Sequence, residues 1–136
     1  MAWSVVLLLS ILNVAGLDEP QARVRVTHRD LIPTCLNAAA VAPGKRSWNL
    51  EPGRFSMVLT MKRNERAGPA SPGLASISFD VEAGHRYEIE VRATTEAFSS
   101  RVWRRGEWTP VVRDRTTERI VSAAPEWIEG PCAGAR

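Results

Sequence analysis

The sequence predicts an all-β fold: a single antiparallel β-sandwich of about seven or eight short strands, preceded by a cleavable signal peptide. Three observations carry this expectation. Apolar and polar residues alternate through most of the chain after residue 20, turn-forming Pro and Gly separate the alternating stretches, and helical periodicity is almost absent.

The stretch from Ala2 to Gly16 has no charged side chain and is followed by Asp18 and Glu19, which reads as an apolar signal region with a polar boundary. A bilayer-spanning helix needs about 20 apolar residues. This stretch is shorter, contains Asn13, and ends in Val14-Ala15-Gly16, small residues suited to cleavage after Gly16, although the usual basic residues ahead of it are missing. Val14-Ala15-Gly16 also matches the residues that precede a lipidated cysteine, but Leu17 occupies that cysteine's place. No stable membrane anchor is therefore expected after signal removal, and the expected location is periplasmic or secreted. The predicted organisation is a signal over 1–16, an N-terminal strand and connecting segment over 17–44, and a sandwich body with a C-terminal tail over 45–136.

Taken in order, Arg23-Val24-Arg25-Val26-Thr27 is a short strand with its valines inward. Ala38–Ala42 could form a helical turn, which Pro43-Gly44 would stop immediately. A second strand spans Lys45–Leu50 and ends in the turn Glu51-Pro52-Gly53. Phe55, Met57, Leu59 and Met61 then share one strand face. The polar stretch Asn64–Gly73 breaks the pattern and is expected to be a mobile connection. Ile77, Phe79 and Val81, then Tyr87, Ile89 and Val91, are predicted to face inward on two strands of one hairpin joined by Glu82-Ala83-Gly84. A second hairpin would turn at Arg105-Gly106, with Arg104 opposite Glu107 and Trp103 opposite Trp108. Val111-Val112 and Arg119-Ile120-Val121 supply the last strands, joined through Asp114–Thr117.

The 18 Lys and Arg residues exceed the 15 Asp and Glu by three formal charges. Opposite signs are interleaved, as in His85-Arg86-Tyr87-Glu88-Ile89-Glu90-Val91-Arg92, and no single-sign stripe suits a phosphate backbone, so nucleic acid is not an expected partner. Cys35 and Cys132 bracket most of the chain. In an oxidising compartment their default state is a disulfide, although spacing alone does not bring their Cα atoms within bridging range. His28, Cys35, His85 and Cys132 lack the short spacing of a metal knuckle, so no metal and no cofactor are predicted.

His28 next to Asp30 could orient an imidazole for base catalysis, but no Gly-x-Ser-x-Gly elbow accompanies it. A turn-forming His-Arg-Asp triplet is the expected explanation, and no catalytic residue is predicted. His85 is expected to pack beside its turn, and Trp48 and Tyr87 to lie in the core. Trp103 and Trp108 are the open pair. Cross-strand aromatics usually pack inward, yet an exposed pair beside Arg101, Arg104 and Arg105 would form a ligand or partner surface able to stack sugar rings or peptide side chains.

Two segments resemble small bacterial exported proteins with a prealbumin-like or PEGA-like β-sandwich. Trp48-Asn49-Leu50-Glu51-Pro52-Gly53-Arg54-Phe55 looks like their strand, Pro-Gly turn and following aromatic. Phe79-Asp80-Val81-Glu82-Ala83-Gly84-His85-Arg86-Tyr87 is similar to their Ala-Gly-His/Lys-x-Tyr hairpin. The resemblance covers roughly residues 45–121 and implies a surface-associated or periplasmic accessory domain with no active site to carry over. The functional expectation is thus a non-enzymatic exported interaction or structural module of the bacterial envelope, whose partner is an envelope protein or glycan. The alternative is a carbohydrate- or peptide-binding module that uses the Trp pair.

Overall fold

The computed structural model describes residues 20–68, 71–130 and Cys132; the predicted signal over 1–16 lies outside the described residues. The alternating stretches form β1 (Ala22–Val26), β2 (Leu31–Leu36), β3 (Ala39–Ala40), β4 (Ser47–Leu50), β5 (Gly53–Met61), β6 (Leu74–Val81), β7 (Arg86–Ala93), β8 (Trp108–Asp114), β9 (Arg119–Ile120) and β10 (Glu126–Ile128). One helix, α1 (Thr95–Ser100), and a 3-10 turn (Glu65–Ala67) interrupt them. The strands make two five-stranded sheets, ordered β4-β1-β7-β8-β9 and β10-β6-β5-β2-β3.

The predicted all-β class holds, with one departure from an antiparallel arrangement. β1 lies parallel to β7, Val24 opposite Tyr87, while the other pairings among the described residues are antiparallel. A single apolar cluster draws on both sheets: Val24, Tyr87, Ile89 and Val112 from the first, and Leu31, Met57, Leu59, Ile77 and Phe79 from the second. Each such side chain contributes about 1.5–3 kcal/mol when it leaves water. Trp48 and Tyr87 lie in this core, as expected.

The strand faces follow the sequence pattern, but the strand pairing differs from it at the turn Glu82–His85. Ile77, Phe79, Val81, Tyr87 and Ile89 are buried as predicted, yet β6 and β7 belong to different sheets and do not form a hairpin. The connection, with Gly84 at φ +78° and a His85 N–H to Glu82 C=O hydrogen bond of 3.2 Å, carries the chain from one sheet to the other. Inward alternation is the same whether two strands pair edge to edge or line one core from opposite sides, so it cannot separate the two cases.

Ala38–Ala42 is not helical. Asn37 and Ala38 have φ values of 48° and 73°, the two positive angles of a tight hairpin turn, and Ala39–Ala40 returns as β3 against β2. The Asn37 side chain fixes this turn by accepting the Ser56 N–H at 2.8 Å.

The register between β2 and β5 shifts between Pro33 and Cys35: Pro33 sits opposite Leu59, and Cys35 opposite Val58. Thr34 is the extra residue, and its hydroxyl donates to the Val58 carbonyl at 3.0 Å. A bulge of this kind re-aims the side chain that follows it. Strict alternation from Leu31 and Pro33 would turn Cys35 into the core; the bulge puts it with Val58 on the face away from the core. There Cys35 and Cys132 are disulfide-bonded, their Cα atoms 5.5 Å apart and 97 residues apart in sequence. β10 stands at the opposite edge of this sheet order from β3, with β6 and β5 between it and β2, so the disulfide joins Cys132 to a strand that is not β10's neighbour.

Candidate functional site

The end of the molecule where β2 begins and β5 ends is organised by Asp30, which is 2% exposed. The β1–β2 turn creates this position: Leu31 N–H bonds back to His28 C=O at 3.0 Å, and the Asp30 N–H donates to His28 Nδ1 at 3.0 Å. The Asp30 carboxylate takes its donors from beyond the turn. It accepts Arg101 Nη2 on Oδ1 at 2.6 Å, Arg101 Nε on Oδ2 at 2.9 Å, and Trp103 Nε1 on Oδ2 at 3.0 Å. The Arg101 fork holds Asp30 below the usual carboxylate range, aided by Trp103 and opposed by burial. A buried carboxylate without such donors would cost several kcal/mol, so this network is a structural requirement as well as a feature of the site.

Helix α1 delivers Arg101. Thr94 caps the helix by accepting the Ala97 N–H at 3.1 Å, and Glu96 lies in its first turn. Arg101 ends it in the left-handed conformation, φ 58°, with its N–H bonded to Ala97 C=O at 2.8 Å. A side chain there costs about 1–2 kcal/mol relative to glycine. The bidentate contact with Asp30 offsets that strain. His28 completes the network as an aromatic, 5.5 Å from Trp103 edge-on and 5.8 Å from Phe98. Burial pushes its pKa down, and nearby arginines add to the effect against the opposing pull of Asp30. Because Nδ1 accepts a hydrogen bond, the proton of the neutral ring is on Nε2.

Beside this network opens a cleft of about 630 Å³, lined by Asp30, Asn64 and Glu65 together with Lys62, Arg63, Arg66, Ser99, Ser100 and Arg101. Asn64 fixes the wall between β5 and α1. Its Oδ1 accepts the Arg66 N–H at 2.9 Å, and its Nδ2 donates to the carbonyls of Ser100 and Arg101 at 3.3 and 3.2 Å. Four cationic side chains meet two carboxylates here, one of them Asp30, already engaged by Arg101. Lys62 and Arg66 make no side-chain hydrogen bond or ion pair among the described residues. The cleft therefore presents net positive charge and hydroxyl groups, a combination suited to an anionic partner group.

The far end of the Asn64–Gly73 connection, residues 71–73, is held by hydrogen bonds. Trp108 Nε1 donates to Pro72 C=O at 2.8 Å, Thr60 Oγ1 to Gly73 C=O at 2.6 Å, and Arg105 N–H to Ser71 C=O at 3.1 Å. A Cβ on Gly73 would come within 2.8 Å of Arg105 Cγ, so glycine is required where loop and arginine meet.

The predicted surface of Trp103, Trp108, Arg101, Arg104 and Arg105 does not exist as a platform. Trp103 is 3% exposed and Trp108 1%. The two indoles are not cross-strand partners: Trp103 precedes β8 and packs on His28 and Phe98, whereas Trp108 meets Trp127 edge-on at 5.1 Å. Residues 104–107 do form a tight turn, with Glu107 N–H bonded to Arg104 C=O at 2.9 Å. Carboxylates take up the arginines: Arg101 pairs with Asp30, Arg105 with Glu129 at 2.8 Å, and Arg104 with Glu107 at 4.0 Å. Each indole N–H also has a buried acceptor, which is how a buried Trp is satisfied.

A second His–carboxylate pair lies at the opposite end of the first sheet. His85 Nδ1 is 2.7 Å from Asp114 Oδ2, and Asp114 Oδ1 accepts the N–H groups of Thr116 and Thr117. Tyr87 accepts the Glu82 N–H through its hydroxyl at 2.7 Å and stacks on His85 at 6.1 Å. This set ties the Glu82–His85 turn to the β8–β9 turn. Among the described residues no hydroxyl or thiol is hydrogen-bonded to either imidazole, and no group of three or more His, Cys, Asp or Glu side chains could hold a metal ion.

No family model, curated protein or solved structure matches this chain. No helix among the described residues is long and apolar enough to cross a membrane. The disulfide is the kind of crosslink that persists in oxidising compartments such as the periplasm and the cell exterior.

Proposed function

We propose that the chain is an exported, non-enzymatic interaction module of the bacterial envelope, folded as a β-sandwich of prealbumin-like or PEGA-like type, that holds an acidic segment of a partner protein in the cleft beside Arg101. The carrying observation is that Lys62 and Arg66 line an open cleft of about 630 Å³ without ion-pair partners among the described residues. The walls support this reading because Asn64 and the Asp30–Arg101 fork hold them in place before any partner arrives, which lowers the ordering cost of binding. The disulfide and the apolar stretch ahead of Asp18 support export.

The test is titration of the purified protein with a glutamate-rich peptide, at low and high salt. Wild type binds and loses affinity as salt rises, whereas Lys62→Glu with Arg66→Glu abolishes binding with the fold intact. Undiminished binding by the charge-reversed protein, or retention on a glycan matrix competed by free sugar, would remove this reading in favour of another ligand. Signal cleavage is read separately, by N-terminal sequencing of exported material, which begins at or near Leu17.

A further inference from the structure

The parallel pairing of β1 and β7 sets Arg23 directly beside Arg86 on the solvent face of the first sheet. Like charges at directly opposed sheet positions are destabilising, and strands are only about 4.8 Å apart. The next outward rung shows how the same sheet balances charge. Arg25 lies beside Glu88 and bonds it at 2.9 Å, Glu88 also takes Arg115 at 3.7 Å, and Arg115 reaches Glu118 at 3.6 Å. Both carboxylates are thus occupied. Arg23 and Arg86 have no side-chain hydrogen bond or ion pair among the described residues.

These two arginines line a cleft of about 360 Å³ with Arg25, Arg115, Glu88 and Glu118. Four positive charges face two negative ones, so the cleft carries an excess of two. The backbone beneath the pair is fixed from both sides: Arg23 N–H bonds to His85 C=O at 3.0 Å, Arg115 N–H to Arg86 C=O at 2.7 Å, and Arg86 N–H to Thr116 Oγ1 at 3.1 Å. The side chains therefore rise from a rigid corner where two turns are joined.

We infer that Arg23 and Arg86 form a binding site for a phosphate dianion, free or as a terminal monoester. The charge excess matches a doubly charged oxyanion, and two adjacent guanidiniums offer planar donor forks to its tetrahedral oxygens. A bound dianion would replace the mutual repulsion of the rung with two charge-assisted contacts. This site lies on the sheet face, away from the cleft beside Arg101, and does not depend on the acidic-peptide reading.

The experiment compares thermal unfolding and titration of wild type, Arg23→Gln, Arg86→Gln and Arg92→Gln in phosphate and in chloride at equal ionic strength. Arg92, also on β7 but outside the cleft, is the control. Millimolar phosphate raises the melting temperature of wild type and Arg92→Gln, and each cleft variant binds about tenfold or more weakly. In chloride, the cleft variants are at least as stable as wild type, because each relieves the Arg–Arg rung. Glycerol phosphate as effective as inorganic phosphate identifies a monoester site; a response to inorganic phosphate alone identifies a free-ion site. An absent response in wild type, an equal response in all four proteins, or marked destabilisation of the cleft variants in chloride would overturn the assignment.

Discussion

At the scale of single residues, His85 and Asp114 give stability a pH dependence whose sign can be worked out. The hydrogen bond to the Asp114 carboxylate raises the pKa of His85 above its ordinary 6.5, with burial opposing. A raised group contributes fully below its unfolded pKa, and the contribution is lost as pH rises through the folded value. For Asp114, burial pushes upward, but hydrogen bonds from His85, Thr116 and Thr117 hold the carboxyl below its ordinary 3.8. Its contribution is present above that value and is lost as pH falls through the lowered one. The pair is therefore strongest between these two ordinary values. Replacing His85 by Gln is expected to lower the melting temperature more at about pH 5.5 than at about pH 8.5; equal losses at both would mean that the imidazole acts by packing alone. Neither this pair nor the Asp30 network was legible in the sequence. Asp30 meets Arg101 and Trp103 across 71 and 73 residues, and His85 meets Asp114 across 29, separations that periodicity does not report.

At the scale of elements, the β2 bulge determines whether a disulfide can form at all. Deleting Thr34 restores strict alternation after Pro33 and turns residue 35 toward the core. The expected outcome is loss of the Cys35–Cys132 bond, read as two free thiols by alkylation and mass spectrometry under non-reducing conditions. Retention of the bond would mean that β2 re-registers elsewhere. The two cysteines were evident in the sequence; the bulge that aims one of them outward was not, because one extra residue leaves no mark in a six-residue strand. Strand faces were legible for β1, β5, β6 and β7 because burial enforces a period of two. Sheet membership was not, as the Glu82–His85 turn shows. Helix α1 had a local signal that alternation masked: Thr94 followed by Thr95-Glu96-Ala97 is an N-cap with an acid in the first turn.

For the whole molecule, the disulfide closes a loop of 97 residues and ties Cys132 to β2. In the chain-entropy model a loop of this length is worth up to about 4.7 kcal/mol. Replacing both cysteines by serine is expected to lower unfolding free energy by about 4 kcal/mol in urea titration, and an unchanged midpoint would show that the tail is not part of the cooperative unit. The overall β class was legible because alternation persists over the whole body of the chain. The arrangement of strands was not, since it depends on partners distant in sequence. The parallel pair has a consequence in time. Val24 lies 63 residues ahead of its partner Tyr87, and a ribosome working at about 5–20 residues per second needs about 3–13 s to make that difference. During that interval β1 can pair only with β4, through Val24 and Trp48, and its other edge stays open. The first sheet is therefore assembled from a two-stranded start that waits for its centre.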